Sequence, residues 1–274
     1  MPVTALALAL GAALLHALWN LGLAGARDTE ATTAVALVAA VVLFAPVAAL
    51  TADVRAEALP YIAASAALEL AYFALLAAAY GRAELSVVYP LSRGLAPVLV
   101  LAIGVAALSD SLSWEQAAGV ALVAAGVMLV RDLRWLGDPR DVVFSLAIAA
   151  TIAGYTLVDN EGLRYADPIA YLELVMVVPA VAYFAATVRR RGAVAMRAAA
   201  TPRTVAIAVG MFGAYALTLA ALELASAASV AAVRESSVVI ATALAGLALK
   251  EAVTRRRLAG SVVVVAGIAL LAAA

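Results

Sequence analysis

The chain has no cysteine, one histidine and one lysine in 274 residues. The first absence excludes disulfides, thiolate nucleophiles and cysteine metal sites. A lone His16 cannot build a histidine metal centre, so no catalytic residue, metal or cofactor is assigned. Lys250 ends an apolar run, which argues against a Schiff base buried in mid-membrane. Charge is scarce: 13% of residues are charged and the net charge is zero, so the basic excess of a nucleic-acid binder is missing. Apolar residues fill the space: 67% are hydrophobic and mean hydropathy is +1.07, whereas a soluble domain is about half apolar. Such a chain belongs in a lipid bilayer.

A run of about 20 apolar residues crosses a bilayer as a helix, because lipid offers the backbone no hydrogen-bond partner. Ten such runs can be placed, at roughly 3–26, 31–51, 58–80, 85–108, 114–131, 141–163, 168–188, 203–223, 226–249 and 254–273. The first lacks a basic leader and is too long for a signal peptide, so it is expected to remain as a helix. Connections are short, and no stretch is left for a soluble domain. The expected fold is all-α, with ten transmembrane helices.

The two halves echo each other. Arg93 and Arg234 stand 141 residues apart, and at the same offset Asp110 matches Glu251, Gly119 matches Gly260 and Gly126 matches Gly267. Five spans per half is an odd number, so the second half must enter the membrane inverted. The expected organisation is two inverted five-helix repeats, 1–131 and 141–274, joined by a loop at 132–140. Loops after odd-numbered spans carry 14 Lys and Arg, and the other loops carry only Arg55 and Arg164. The positive-inside rule places the rich side in the cytoplasm and both termini outside.

Charges inside spans are expensive and point to function. Arg93 and Arg234 each lie about 12 Å into their runs at 1.5 Å per residue. They must face the bundle interior and find an anion, either a substrate or coupling carboxylate or a fixed partner that locks two helices. Around Arg93, the stretch Tyr89 to Pro97 holds two prolines and a glycine, which predicts a kink beside a cavity. Asp159 and Glu235 are candidate partners for the arginines. Glu69, Asp159, Glu173 and Glu235 set four acids against two arginines, so a proton or a cation is a candidate to complete the balance; Asp159, Glu235 and Glu69 are the candidate proton-coupling groups. Asp159 shares a helix face with Tyr155 at i+4, and Glu69 stands beside Tyr72. Glu173 is expected at the membrane surface. His16, Trp19 and Asn20 form a polar face on the first span, as a ligand wall or an interhelical hydrogen-bond patch. Trp19, Tyr72, Tyr89, Tyr155 and Tyr215 form the expected amphipathic wall of a central site between spans 1, 3, 4, 6, 8 and 9. The glycine pairs read as stripes for close helix packing. Trp114 and Trp135 read as interfacial anchors.

Inverted repeats with charges near the midplane are the mark of a secondary transporter that alternates access to a central site. The expected partners are a small-molecule substrate and the bilayer. A channel would call for rings of polar residues. An intramembrane enzyme would need paired metal-binding carboxylates or a nucleophile with its base. Within the spans the nearest acidic pair, Asp159 and Glu161, points to different helix faces.

Four passages give the chain a family likeness: Leu15-His16-Ala17-Leu18-Trp19-Asn20, Tyr89 to Pro97, Tyr155-Thr156-Leu157-Val158-Asp159 and Val233-Arg234-Glu235-Ser236-Ser237. With the acids Asp110 and Glu251 closing spans 4 and 9, the chain resembles the EamA branch of the drug/metabolite transporter superfamily. Asp110 replaces the usual Glu there. The resemblance implies a plasma-membrane carrier of ten helices that moves metabolites, amino acids or amphipathic compounds, often outward. It also implies cytoplasmic termini, against the charge count.

Overall fold

The structure, a computed structural model, describes residues 1–80, 85–107, 113–130, 138–248 and 254–274, without the side chains of residues 77, 80, 85–87, 89, 90, 107 and 245–248. Asp110, Trp135, Lys250 and Glu251, and the side chain of Tyr89, lie outside the described residues. The described chain is helical: α1 Val3–Ala24, α2 Thr29–Leu50, α3 Leu59–Tyr80, α4 Leu85–Ala107, α5 Trp114–Val130, α6 Pro139–Gly162, α7 Pro168–Ala199, α8 Pro202–Leu222, α9 Ala227–Arg234, α10 Ser237–Ala248 and α11 Arg255–Ala273. Among the described residues, eight segments are long and apolar enough to cross a membrane; Leu91–Ala106 and Trp114–Val130 are shorter apolar helices. The protein is a multi-pass integral membrane protein.

Helix starts are written into the sequence. Asp28, Asp138, Asp167, Thr201, Ser226 and Thr254 each accept a backbone N–H of the first turn, which satisfies donors that have no partner within the helix. Pro139, Pro168 and Pro202 follow three of these caps, at a position where a missing N–H costs nothing.

Whereas α4 runs on through Pro90 and Pro97, the ninth run, expected as one helix, is divided in two although it holds no proline. There the chain tightens through Glu235 N–H to Ala232 O, Ser236 N–H to Val233 O and Val238 N–H to Glu235 O, each 3.0 Å. These three-residue turns divide α9 from α10 immediately after Arg234. In α7, Gly192 at φ +80° separates the span from a surface segment whose Met196 and Ala199 pack on Ala31 and Ala34 of α2.

Polarity is arranged inside out relative to a water-soluble protein. Leu50, Val3 and Val181 are exposed, whereas Arg93, Asp159 and Glu235 are buried. With lipid outside, helices associate through close packing and internal polar contacts more than through the hydrophobic effect. The tightest pair is α5 with α11, which cross antiparallel on the glycine stripes. A Cβ on Gly126 would lie 2.8 Å from Gly260 O, and one on Gly267 would lie 2.8 Å from Gly119 O. Helix α1 packs on α8, α3 on α6, α2 on α7 and α4 on α6.

The two faces of the bundle differ. On one face, Arg55 N–H donates to Tyr165 O and Asp167 N–H to Asp53 O, both 2.9 Å, so the α2–α3 and α6–α7 loops are clasped by their main chains. Arg55 also donates to Arg164 O and lies over the Tyr165 ring, 5.1 Å from its centroid. On the opposite face, the α1–α2 loop and the end of α7 meet through charges. Glu30 pairs with Arg190 at 2.5 Å and with Arg191 at 2.9 Å, and Arg203 donates to Gly22 O and Gly25 O at 2.9 and 3.0 Å.

Candidate functional site

A cavity of about 570 Å³ runs from the bundle interior to this second face, where exposed Arg27, Thr29, Arg190 and Arg191 edge its mouth. His16, Trp19, Asn20, Glu69, Tyr72, Arg93, Tyr155, Tyr215 and Arg234 all line it. Helices α1, α3, α4, α6, α8 and α9 thus contribute as expected from their residue patterns. Helices α2 and α7 add Thr33, Leu37, Leu172, Met176 and Tyr183, which the sequence reading did not include. Asp159 and Glu235 stand behind the wall and hold its members in place.

Arg93 lies on continuous α4 and is 4% exposed. Its Nε faces Glu235 Oε2 at 3.3 Å without hydrogen-bond alignment, and its Nη2 meets His16 Nε2 at 3.0 Å. His16 packs edge-on against Trp19 with ring centroids 4.9 Å apart, and its main-chain carbonyl accepts from Asn20 Nδ2 at 2.7 Å. The face expected on α1 therefore forms, with His16 turned to the buried arginine. Arg234, at the end of α9, is half-buried and makes no ion pair among the described residues. It lines the cavity together with Tyr155 and Glu69. The paired arginines of the sequence thus share the cavity but differ in situation, since Arg93 is held in an ion pair and Arg234 is not, among the described residues.

Asp159 does not partner an arginine, contrary to expectation. Hydroxyls hold it instead: Ser65 Oγ donates to Oδ1 at 2.5 Å, Tyr171 Oη to Oδ1 at 3.1 Å and Tyr215 Oη to Oδ2 at 2.6 Å. Donors from α3, α7 and α8 thereby meet on one carboxylate of α6. Ser65 and Tyr171 were not singled out in the sequence; a buried tyrosine in an apolar run was the available signal, since its hydroxyl needs a partner. Gly162 leaves room for that ring, because a Cβ there would lie 2.5 Å from Tyr171 Cε2. Tyr72, Tyr155 and Tyr215 stand in sequence along the wall, at centroid distances of 6.4 and 6.1 Å. Glu173, in the second turn of α7, is buried away from the cavity lining, and its Oε2 has no hydrogen-bond partner among the described residues. No cluster of three or more acidic or histidine side chains suited to a metal ion occurs among the described residues.

A helical membrane bundle around a charged, aromatic-walled cavity that reaches one face defines a membrane transporter. The second half of the chain, residues 140–273, matches the EamA-like transporter family. A crystal structure of a protein 16% identical in sequence matches with a TM-score of 0.79, covering 98% of this chain and 96% of that one, a likeness of fold alone. No curated protein matches the chain.

Proposed function

We propose that the protein is a plasma-membrane carrier that exports small metabolites, amino acids or amphipathic compounds by alternating access, with proton coupling. Its two inverted five-helix repeats are 1–131 and 141–274, joined by 132–140. The observation that carries this reading is the cavity at membrane depth, which draws Arg93 and Glu69 from one half and Arg234, Tyr155 and Tyr215 from the other. Helix packing supports the repeat. If α1–α5 correspond in order to α6, α7, α8, α9–α10 and α11, then α1 on α8 mirrors α6 on α3, and α3 on α7 mirrors α8 on α2. Helices α2, α4 and α5 each meet their own counterpart. Substrate contacts fall to Arg234, Arg93, His16, Trp19, Asn20 and the tyrosines 72, 89, 155 and 215.

The test is metabolite profiling of cells and medium across overexpression, deletion, Arg93→Ala and Arg234→Ala strains. A compound enriched in the medium of overexpressing cells and lost with Arg234→Ala is the expected result. Accumulation inside the cells would reverse the direction to uptake. Wild-type transport in both arginine variants would overturn the site.

A further inference from the structure

The single histidine of the chain has one proton state that its neighbour allows. Arg93 Nη2 lies 3.0 Å from His16 Nε2. A guanidinium can only donate, so Nε2 must accept, and a ring nitrogen that accepts carries no hydrogen. The ring is therefore neutral, with its hydrogen on Nδ1. An imidazolium would set two donors against each other at that distance. Both sides of the contact are held. Arg93 is buried and faces Glu235 at 3.3 Å, and Trp19 packs edge-on against the ring with centroids 4.9 Å apart. Helix α8 in turn approaches Trp19 closely, since a Cβ on Gly210 would lie 3.0 Å from Trp19 Cβ.

The Nδ1–H group is left without an acceptor. The ring makes no hydrogen bond besides the one to Arg93 among the described residues, and Nδ1 is not one of the buried polar atoms that lack a partner. It therefore meets open space, and the space that the half-buried ring borders is the cavity. A cation donating to one ring nitrogen polarises the imidazole and strengthens the donor on the other. Such a donor suits an acceptor that carries charge, and Arg234 lines the same cavity.

We propose that His16 is a substrate-binding donor locked by Arg93 in one tautomer, whose Nδ1–H meets an anionic oxygen of a carboxylate or a phosphate. This rests on the carrier reading above and assigns one contact of its substrate site. His16 then holds substrate and carries no coupling proton. The charged and titratable groups that share the cavity with the ring are Arg93 from α4, Glu69 and Tyr72 from α3, Tyr155 from α6, Tyr215 from α8 and Arg234 from α9. Glu235 stands behind Arg93, and Glu30 of α2 lies at the mouth.

The experiment reads one residue, because the chain has one histidine, and it needs no variant. The full chain is made with nitrogen-labelled histidine, placed in lipid nanodiscs and followed by NMR between about pH 5 and 8, where an unperturbed histidine titrates. The expected result is a protonated Nδ1 and an unprotonated Nε2 throughout, with no imidazolium. A hydrogen on Nε2, or an imidazolium that forms within this range, would overturn the assignment. Two probes then separate the sources of the oxygen: formate, the smallest carboxylate, and inorganic phosphate, each added against chloride at equal ionic strength. A saturable downfield shift of the Nδ1 hydrogen with either probe supports the contact, and the probe that produces it names the oxygen. Magnetisation transfer from the carbon of labelled formate, or from phosphorus, to Nδ1 is expected with that shift and places the anion against the ring. No shift with either probe, or a shift that chloride reproduces, would overturn the subsite. Failure of the carrier reading would appear in metabolite profiling and leave these spectra unchanged.

Discussion

Arg93 and Arg234 differ in what their removal does. Replacing Arg93 with Ala leaves Glu235 buried without its cation, a change that costs about 3–5 kcal/mol in comparable buried pairs. The Arg93→Ala protein should unfold at clearly lower temperature, and adding Glu235→Gln should recover part of the loss. Arg234→Ala breaks no ion pair among the described residues, so its melting temperature should stay near wild type while transport falls. Thermal unfolding of the purified variants beside a transport assay separates the two. Both arginines were legible in the sequence because charge in an apolar run is conspicuous. Their different situations were not, because the partner of Arg93 comes from another helix far along the chain. The hydroxyl cage of Asp159 was hidden for the same reason: Ser65 and Tyr171 look ordinary until three helices bring them to one carboxylate.

At the scale of helices, the close α5–α11 crossing depends on what is missing at four glycines. Gly126→Val places a side chain where Gly260 O and Val264 already stand, and overpacking of this kind costs about 1–3 kcal/mol. A lower unfolding temperature is expected, with a smaller effect for Gly126→Ala. Gly192 is a different case. A Cβ there meets nothing within 4 Å, yet φ is +80°, so Gly192→Ala tests backbone strain alone, about 1–3 kcal/mol. Its expected effect is local: faster proteolysis of the 193–199 segment in lipid nanodiscs, with the bundle's melting temperature little changed. The extent of each apolar run was readable, since length and hydropathy are set by the bilayer. The division of the ninth run was not readable, because proline is only one way to interrupt a helix. The run breaks at the polar stretch Arg234, Glu235, Ser236 and Ser237 through three-residue backbone turns, which length and hydropathy do not reveal.

For the whole molecule, alternating access requires the clasped face to open. Val54 and Ala166 form a non-hydrogen-bonded antiparallel pair between Arg55–Tyr165 and Asp53–Asp167. Such pairs place Cα atoms about 4.5 Å apart, within disulfide range. The double variant Val54→Cys with Ala166→Cys should cross-link on oxidation, stop transport and recover it on reduction. Continued transport in the oxidised protein would rule out opening at this face. Because the native chain has no cysteine, single cysteines at Thr29 and Glu57 can also be tested with a membrane-impermeant maleimide. They should react from opposite sides, and the result fixes the absolute orientation that charge count and family likeness assign in opposite senses.

The main-chain clasp and the charged mouth also respond differently to the ions of the medium. Exposed ion pairs weaken as salt rises, with a screening length of about 8 Å at physiological ionic strength, whereas amide-to-carbonyl bonds carry no net charge to screen. Glu30 with Arg190 and Arg191 therefore ties α2 to α7 less firmly in brine, and the Asp53–Asp167 and Arg55–Tyr165 bonds hold as before. Ionic strength is then a handle on one end of the protein alone, and a salt titration of transport rate reads how far transport depends on that end.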